Sequence, residues 1–165
     1  MILAKSVALN MGIFLETYKV KKEWIDYNGH MNMAYYIHIF DMAAELMLQK
    51  FKIGGDSAKS EKKSTMAIET HTIYNKEVKY EEEVNINVLH LDYDKKRIHY
   101  KLSMNHKEKK FQAATTEVLS LYVDLDLRKV TEFDIEKIKI MDNYIQAHNS
   151  KFSSDKLFFT DKLKK

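Results

Sequence analysis

The pattern of hydrophobic and polar positions divides the chain into strand-like and helix-like segments. Weak alternation predicts a first strand over residues 14–20, and four strand-like runs follow at residues 65–74, 83–92, 97–106 and 111–124. The segments DYDKKR and NHKEKK lie between these runs and are typical of hairpin turns. Strands that follow one another with no helix between them predict an antiparallel sheet.

A long apolar helix is predicted over residues 32–51, between the first strand and the other four. Its polar positions after the first turn are spaced by three, four and four residues and form one narrow stripe of His38, Asp41, Glu45 and Gln49. We expect this stripe to face solvent or an interface. Because the rest of the helix is apolar, it must be covered on most sides, so we expect the sheet to curl around it.

Two further segments complete the prediction of secondary structure. Residues 53–64, IGGDSAKSEKKS, are rich in glycine, serine and lysine and predict a flexible linker. Residues 133–148 have helical spacing, with Thr131 and Asp134 as a predicted capping box. The tail after this helix is polar except for LFF, and is expected to dock or fray.

A length of 165 residues fits one α+β domain with short extensions. We divide it into an N-terminal extension (1–13), a main domain (14–128) and a C-terminal helix and tail (129–165). No apolar run approaches the roughly 20 residues of a membrane span. The N-terminus, in which Lys5 and Asn10 interrupt the apolar positions, predicts no signal peptide. A cytoplasmic protein is therefore predicted.

Composition and motifs exclude several kinds of chemistry. The chain has no cysteine, which excludes a disulfide framework, thiolate catalysis and cysteine-ligated metal centres. Its seven histidines form neither HxxxH nor HExxH, so no metal site is predicted, and the Gly-x-Ser-x-Gly motif of serine hydrolases is absent. The net charge of +3 is too small to indicate nucleic-acid binding.

The segment DYNGHMN, residues 26–32, places polar side chains at the start of the predicted apolar helix. One interpretation is structural, with Gly29 in a tight turn and Asn32 capping the helix. The other is catalytic, because free N–H groups near residues 29–32 and the helix dipole could stabilise an oxyanion. Asp26 would then be a general base or nucleophile, and His30 would orient the loop or donate to a carbonyl. Such a set suits acyl transfer.

This segment resembles the Asp-x-x-Gly-His-x-Asn pattern of hotdog-fold acyl-CoA thioesterases of the 4-hydroxybenzoyl-CoA thioesterase type, at Asp26, Gly29, His30 and Asn32. Members often carry another aspartate two residues before the first, where this chain has Trp24. Together, the stretches EWIDYNGHMN, ETHTIYNKEV, KRIHYKL and TTEVLSLYVDL resemble the betainyl-CoA thioesterase branch that is associated with carnitine dehydrogenases.

The resemblance implies a five-stranded antiparallel sheet wrapped around one long helix. It also implies homodimers, or dimers of dimers, with active sites at the subunit interface. The implied reaction is hydrolysis of a small or medium acyl-CoA, with betainyl-CoA as one candidate. CoA is then part of the substrate and a product, so no cofactor is expected, and neither a nucleic acid nor a membrane is an expected partner. Some members place a catalytic carboxylate on the central helix, which makes Glu45 a reserve candidate.

Three polar residues on the predicted strands are further candidates. Glu69 and His71 share one strand face by alternation. They either face solvent or lie in a cleft near Asp26, from the partner chain, where they bind the acyl group or orient water. Glu117 lies among apolar residues of the same face, and a carboxylate there is costly to bury unless it is paired. It is either locally paired or a second acid in the site.

A quaternary ammonium on the acyl group would need aromatic faces and negative charge. The negative charge could come from Glu69 or Glu117, and an aromatic cage could come from Trp24, Tyr27, Tyr36 and Tyr74. Two other functions stay open. One is a non-catalytic hotdog module that binds acyl-CoA, and the other is a hotdog enoyl-CoA hydratase, whose different His/Asp motif is not found here.

Overall fold

Five long strands and one long helix form the body of the protein. The computed structural model describes residues 12–153 and 157–165. Its elements in chain order are β1 (Ile13–Lys19), α1 (Met33–Lys50), α2 (Gly55–Ser60), β2 (Lys63–Tyr74), β3 (Glu83–Tyr93), β4 (Arg97–His106), β5 (Gln112–Asp124), β6 (Lys129–Val130) and α3 (Ile135–His148). The strand order is β1-β3-β4-β5-β2, all neighbours are antiparallel, and β6 pairs with β5. The predicted α+β hotdog fold is confirmed.

The curled sheet packs its inner face on α1. The pairs β1–β3, β2–β5, β3–β4 and β4–β5 each contain one register shift, and such bulges increase local twist and bend a sheet. On α1, Ile39 and Met47 are fully buried, and they belong to the same apolar core as Ile86 and Leu102 of the sheet. Full burial of such a side chain stabilises the fold by about 1.5–3 kcal/mol.

The segment after α1 is ordered, so the predicted flexible linker over residues 53–64 is wrong. It contains α2, and Ile53 is completely buried. The side chain of Glu45 accepts a hydrogen bond from the N–H of Gly55 at 2.7 Å, and Gln49 accepts one from the N–H of Asp56 at 3.3 Å. Two positions of the polar stripe on α1 therefore hold this turn in place.

The capping box predicted for α3 is also wrong. The helix begins at Ile135, and its N-cap residue Asp134 makes no side-chain capping bond. The Asp134 carboxylate binds the ammonium groups of Lys63 and Lys137 instead, each at 2.9 Å. Charged partners displaced the local cap, because hydrogen bonds between ionised groups are stronger than neutral ones.

Residues 157–165, called the C-terminal strap below, dock on the outer face of the sheet. Phe159 is 1% exposed, the N–H of Lys164 donates to Asp94 at 2.8 Å, and the ammonium of Lys165 lies 2.6 Å from Asp92. Of the predicted N-terminal extension, residues 1–11 lie outside the described part of the chain. Among residues 12–153 and 157–165, no helix combines the length and hydropathy that crossing a bilayer requires.

Candidate active site

A small hairpin carries the polar segment to the start of α1. The N–H of Gly29 donates to the carbonyl of Asp26 at 3.0 Å, and Gly29 has φ of +81°, which favours glycine. The N–H of Asp26 donates to the carbonyl of His30 at 3.1 Å. One carboxylate oxygen of Asp26 accepts the N–H of Asn28 at 2.8 Å. Asp26 therefore has a structural role in the turn, and its second oxygen has no partner within the described residues.

Two backbone donors at the helix start have no partner in the described part of the chain, the N–H groups of His30 and Met33. The expectation that the N–H groups of residues 29–32 are free needs correction, since Gly29, Met31 and Asn32 donate to Asp26, Val78 and Trp24. The side chain of Asn32 accepts the N–H of Ala34 at 2.9 Å, which confirms the predicted cap. Because Met33 is the first residue of α1, its N–H points out of the positive end of the helix dipole.

The backbone of the next residue, Met31, favours one tautomer of His30. Its Nδ1 lies 3.1 Å from the carbonyl oxygen of Met31, and a carbonyl oxygen can only accept, so Nδ1 carries the proton. In the neutral ring, Nε2 is then an acceptor. A neutral His30 side chain can orient a water molecule, whereas donation to a substrate carbonyl requires the protonated ring.

Two cavities flank the first turns of α1. The first, of about 240 Å³, is lined by His30, Met31, Met33, Tyr36, Tyr74, Asn75, Lys76 and Glu77. The second lies between α1 and the sheet, has about 340 Å³, and is lined by Ala34, Ile37, His38, Phe40, Asp41, Ala44, Ala67, Thr70, Tyr100, Leu102, Thr116 and Val118. We call it the helix–sheet cavity. Asp26 lines neither cavity within one protomer.

The predicted aromatic cage does not form within the protomer. Trp24 is buried, its ring stacks on Tyr35 with centroids 5.5 Å apart, and the ammonium of Lys21 lies over the same ring at 5.1 Å. Tyr27 is 96% exposed. Tyr36 pairs edge-to-face with Tyr74 in the first cavity, at 5.3 Å. The four rings thus belong to three environments, and only Tyr36 and Tyr74 share one, because hydrophobic burial placed Trp24 and Tyr36 in different parts of the core.

Glu69 and His71 share one face, as alternation predicted, and that face contacts the C-terminal strap. The carboxylate of Glu69 lies 3.3 Å from the ammonium of Lys162, and the His71 ring stacks on Phe158 with centroids 4.0 Å apart. Within one protomer, neither residue contacts the hairpin of Asp26. Their predicted contribution from a partner chain stays a prediction.

Glu117 lies on the outer face of the sheet, because its neighbours Thr116 and Val118 line the helix–sheet cavity on the inner face. It is 3% exposed and locally paired. His99 Nε2 lies 3.1 Å away, and the N–H groups of Phe158 and Phe159 donate at 2.8 and 3.2 Å. Although burial raises it, these hydrogen bonds hold the pKa of Glu117 below its usual value. The protomer therefore does not bring Glu117 to the start of α1.

The polar stripe on α1 has two parts with different environments. Glu45 and Gln49 are used by the turn to α2, so the reserve candidate Glu45 has a structural role. His38 and Asp41 line the helix–sheet cavity and were not singled out as site residues from the sequence. The backbone of Met33 was also missed, although the cap at Asn32 implies that the next N–H is free.

Comparison with known proteins agrees with this architecture. The model of the thioesterase-like superfamily matches residues 20–141. A betainyl-CoA thioesterase of Pseudomonas aeruginosa is 27% identical over 142 residues, covering 85% of this chain and 89% of that protein. A combined L-carnitine dehydrogenase/betainyl-CoA thioesterase of Rhizobium meliloti is 31% identical over 122 residues, covering 73% of this chain but only 24% of that protein.

The fold also matches solved structures. A hypothetical protein of Staphylococcus aureus, solved in complex with CoA, superposes with a TM-score of 0.74 at 22% identity, over 89% of this chain and 90% of that one. The family model covers most of the chain, including the hairpin of Asp26, the helix α1 and every strand of the sheet except β1. The chain therefore belongs to the thioesterase-like superfamily, which confirms the predicted acyl-CoA thioester hydrolase.

Proposed function

We propose that this thioesterase works in the cytoplasm on small or medium acyl-CoA molecules whose acyl group carries a quaternary ammonium, as in betainyl-CoA. The site is supported by the start of α1, where the N–H groups of His30 and Met33, which have no partner among the described residues, lie close in sequence to the carboxylate of Asp26. The names of the two relatives support the acyl class.

In the proposed reaction, the thioester carbonyl accepts a hydrogen bond from the N–H of Met33, whose position at the helix start favours a developing negative charge. Asp26 then either takes a proton from an attacking water or attacks the carbonyl itself to form a mixed anhydride, which water hydrolyses. On both routes the C–S bond breaks, the CoA thiolate leaves and is protonated, and the acid is released.

The Nε2 atom of His30 is suited to hold the attacking water, because the contact of Nδ1 with Met31 leaves Nε2 as an acceptor. A water held there lies at the entrance of the first cavity, which His30 and Met33 line together. This role places His30 beside the reaction without requiring its ring to be charged.

We further propose that two copies complete the site, as a homodimer or a dimer of dimers. The strand β2 is an edge of the sheet, paired with β5 on one side only. It exposes Met66, Ile68, Ile73 and Tyr74, and the neighbouring face of α1 exposes Ile37. An exposed edge strand with apolar side chains is a surface that proteins normally cover. A second copy on this edge could also bring a cavity to Asp26.

A thiol-release assay with a panel of acyl-CoA esters tests the function. We expect betainyl-CoA to exceed its neutral isostere, 3,3-dimethylbutanoyl-CoA, by at least ~10-fold in kcat/KM, from cation–π and charge recognition. Equal rates would contradict the acyl class while leaving the thioesterase intact. Tight acyl-CoA binding without turnover would favour the binding module, and loss of enoyl absorbance without thiol release would favour the hydratase.

Light scattering tests the assembly. We expect a dimer or tetramer for the wild type and a monomer for Ile68→Lys, which places a charge on the exposed edge of β2. Leu127→Lys is the matched control, because Leu127 is exposed on the turn after β5. A wild-type protein that is monomeric and fully active would contradict the shared site.

A further inference from the structure

The backbone of Val78 links the hairpin of Asp26 to the helix α1. Val78 is fully buried and lies between β2 and β3, in a segment that belongs to neither strand. Its N–H donates to the hydroxyl oxygen of Tyr36 at 3.1 Å, and its carbonyl accepts the N–H of Met31 at 2.8 Å. Both polar groups of this buried backbone therefore have their partners at the start of α1 and in the hairpin, as burial requires.

The hydrogen bond between Met31 and Val78 sets the position of the hairpin. Within the described part of the chain, every other hydrogen bond of residues 25–31 has its partner within residues 22–32. Those bonds hold the shape of the hairpin, whereas the bond to Val78 joins it to a different segment of the chain. The placement of Val78 therefore determines where the backbone of Met31 lies beside the ring of His30.

Tyr36 is suited to hold Val78 because of its place on α1. It lies one turn after Met33, the first residue of the helix, and helical side chains tilt toward the N-terminus, so its hydroxyl reaches back to the helix start. Its buried ring packs edge-to-face on Tyr74, a contact that phenylalanine could also make. Burial raises the pKa of Tyr36 above its ordinary value of 10.0, so the hydroxyl is neutral at physiological pH. The hydrogen bond to Val78 is thus the contact for which tyrosine is needed.

The carbonyl of Met31 completes a series of contacts from Tyr36 to His30. Its oxygen lies 3.1 Å from His30 Nδ1, which keeps the proton on Nδ1 and leaves Nε2 as an acceptor. Three successive contacts of 3.1, 2.8 and 3.1 Å therefore join the hydroxyl to the imidazole ring. A shift of Val78 would move this carbonyl and weaken its preference for one tautomer.

We propose that Tyr36 is a positioning residue, which orients the ring of His30 through the backbone of Val78. This inference rests on the proposed function, in which His30 Nε2 holds the attacking water, and it adds a residue that acts through His30. Without the hydroxyl, the buried N–H of Val78 would have no acceptor, which is unfavourable, so the segment would move and the ring would lose its orientation. A misplacement of about 1 Å at a reacting group can lower the rate roughly 100-fold.

Four variants separate this role from a general loss of stability. Tyr36→Phe removes only the hydroxyl, His30→Ala removes the ring, and the double variant combines the two changes. Tyr122→Phe is the matched control, because Tyr122 is also fully buried and its hydroxyl donates at 3.3 Å to Asp134, at the start of α3. We measure kcat and KM for thiol release with the best substrate of the acyl-CoA panel, and the melting temperature of each variant.

We expect Tyr36→Phe to lower kcat by about 10–100-fold and to keep KM within about twofold of the wild-type value. In the His30→Ala background, the same substitution should lower kcat by no more than about threefold, because the effects of residues that act as a unit are not additive. Tyr122→Phe should lower the melting temperature but keep kcat within about twofold of the wild type, because its lost hydrogen bond serves only the fold.

The ring-nitrogen NMR signals of His30 give a readout that loss of stability alone would not change. These signals are identified by their absence in His30→Ala. The wild type and Tyr122→Phe should carry the proton on Nδ1, whereas Tyr36→Phe should populate both tautomers. If Tyr36→Phe did not fold, hydrogen exchange of the wild type would take its place, and the N–H of Val78 should then exchange slowly.

An unchanged His30 tautomer in Tyr36→Phe would overturn the inference, and so would wild-type kcat or an equal fold loss in both backgrounds. Rapid exchange of the N–H of Val78 in the wild type would also overturn it. If His30→Ala kept full kcat, the role of His30 would be wrong and the inference with it. If the wild type released no thiol from any acyl-CoA, the proposed function would fail, while the His30 tautomer would still test the link to Tyr36. The two failures are therefore distinguishable.

Discussion

The start of α1 and the outer face of the sheet each present a carboxylate beside a histidine, but they differ in how many acceptor positions are occupied. At the helix start, Asp26 is partly exposed, and one of its oxygens serves the turn while the other has no partner in the described protomer. On the outer face, Glu117 is buried and accepts from two N–H groups of the C-terminal strap and contacts His99. The first carboxylate can still react, and the second is fully engaged.

This difference shows that the availability of a carboxylate for reaction depends on its hydrogen-bond partners. Whether it lies in an apolar strand or in a polar loop does not decide it. The same test separates Glu45 from Asp41 on one stripe of α1, since only Glu45 holds a backbone N–H. Two carboxylates one turn apart on the same helix therefore differ: Glu45 is engaged by the fold, and Asp41 lines the helix–sheet cavity.

Asp26→Asn is expected to give the largest effect. Asparagine keeps the oxygen that accepts the N–H of Asn28, so the turn should survive, but the charge that activates water or attacks the carbonyl is lost. We expect kcat to fall by about 10²–10⁴-fold, on the order of 3–5 kcal/mol in the barrier, with little change in KM. The measurement is steady-state thiol release by a folded, assembled variant.

Glu23→Gln is the matched control for Asp26, because Glu23 is an exposed carboxylate three residues earlier without a hydrogen bond in the described part of the chain. It should retain wild-type turnover. Near-normal kcat in Asp26→Asn would mean that Asp26 serves only the turn. The carboxylate at the helix start would then be no more reactive than the one on the outer face.

Glu117→Ala should lower the stability of the fold rather than the turnover of substrate. Its removal leaves the N–H groups of Phe158 and Phe159 without their acceptor and His99 without its partner. Breaking a buried, charged network of this kind costs about 3–5 kcal/mol, measured as the free energy of unfolding in urea. Glu69→Gln, which breaks an exposed ion pair to the same strap, should cost less than about 1 kcal/mol. Equal costs for the two variants would argue against a saturated, buried Glu117.

Acidification should lower the stability of the folded protein through titrating groups on the outer face of the sheet. Burial first, and the neighbouring His99 second, lower the pKa of His90 to about 4, so below pH 6.5 the unfolded chain binds a proton that the folded chain does not. Stability from this group is complete above pH 6.5 and is lost as the pH falls toward 4. Glu117, whose pKa is also lowered, adds loss below its ordinary value of 4.5.

The melting temperature between pH 7 and pH 4 measures this loss. In the variant His90→Asn, the fall between pH 6.5 and 5 should be shallower than in the wild type, because asparagine does not titrate. A His90→Asn protein with the full wild-type slope would show that other groups cause the acid sensitivity.

A small effect is also expected at Glu45. Glu45→Ala removes the acceptor of the N–H of Gly55 at the start of α2, which should cost about 1–2 kcal/mol in the free energy of unfolding. Glu45→Gln keeps an acceptor oxygen and should cost less. A 100-fold loss of kcat in folded Glu45→Gln would instead make Glu45 the catalytic carboxylate and reverse its assignment.

Most of the fold could be predicted from the sequence, because its strands and α1 carry strong local periodicity. The cap at Asn32 could be predicted for the same reason, since the capping hydrogen bond joins residues only two positions apart in the chain. The prediction failed at α2 and at the capping box of α3, where the deciding partners come from other elements, such as Glu45 for Gly55 and Lys63 for Asp134.

The site was only partly predictable on the same grounds. The hairpin of Asp26 and Gly29 could be identified as a motif, because its residues are adjacent. The partners of Glu117 could not, because the N–H of Phe158 lies 41 residues further along the chain. That Asp41 lines the helix–sheet cavity could not be predicted either, because Tyr100 on the opposite side comes from β4, which no pattern within α1 contains.

The C-terminal strap has a consequence for the order in which the protein is completed during synthesis. Chains emerge from the ribosome with the N-terminal part first, so all five long strands are available before residues 157–165. Until the strap arrives, the carboxylate of Glu117 is in contact with water on an open sheet. The strap then delivers two N–H donors and the apolar rings of Phe158 and Phe159 in the same step. In this order of synthesis, burial of the Glu117 charge and its pairing with the strap occur together.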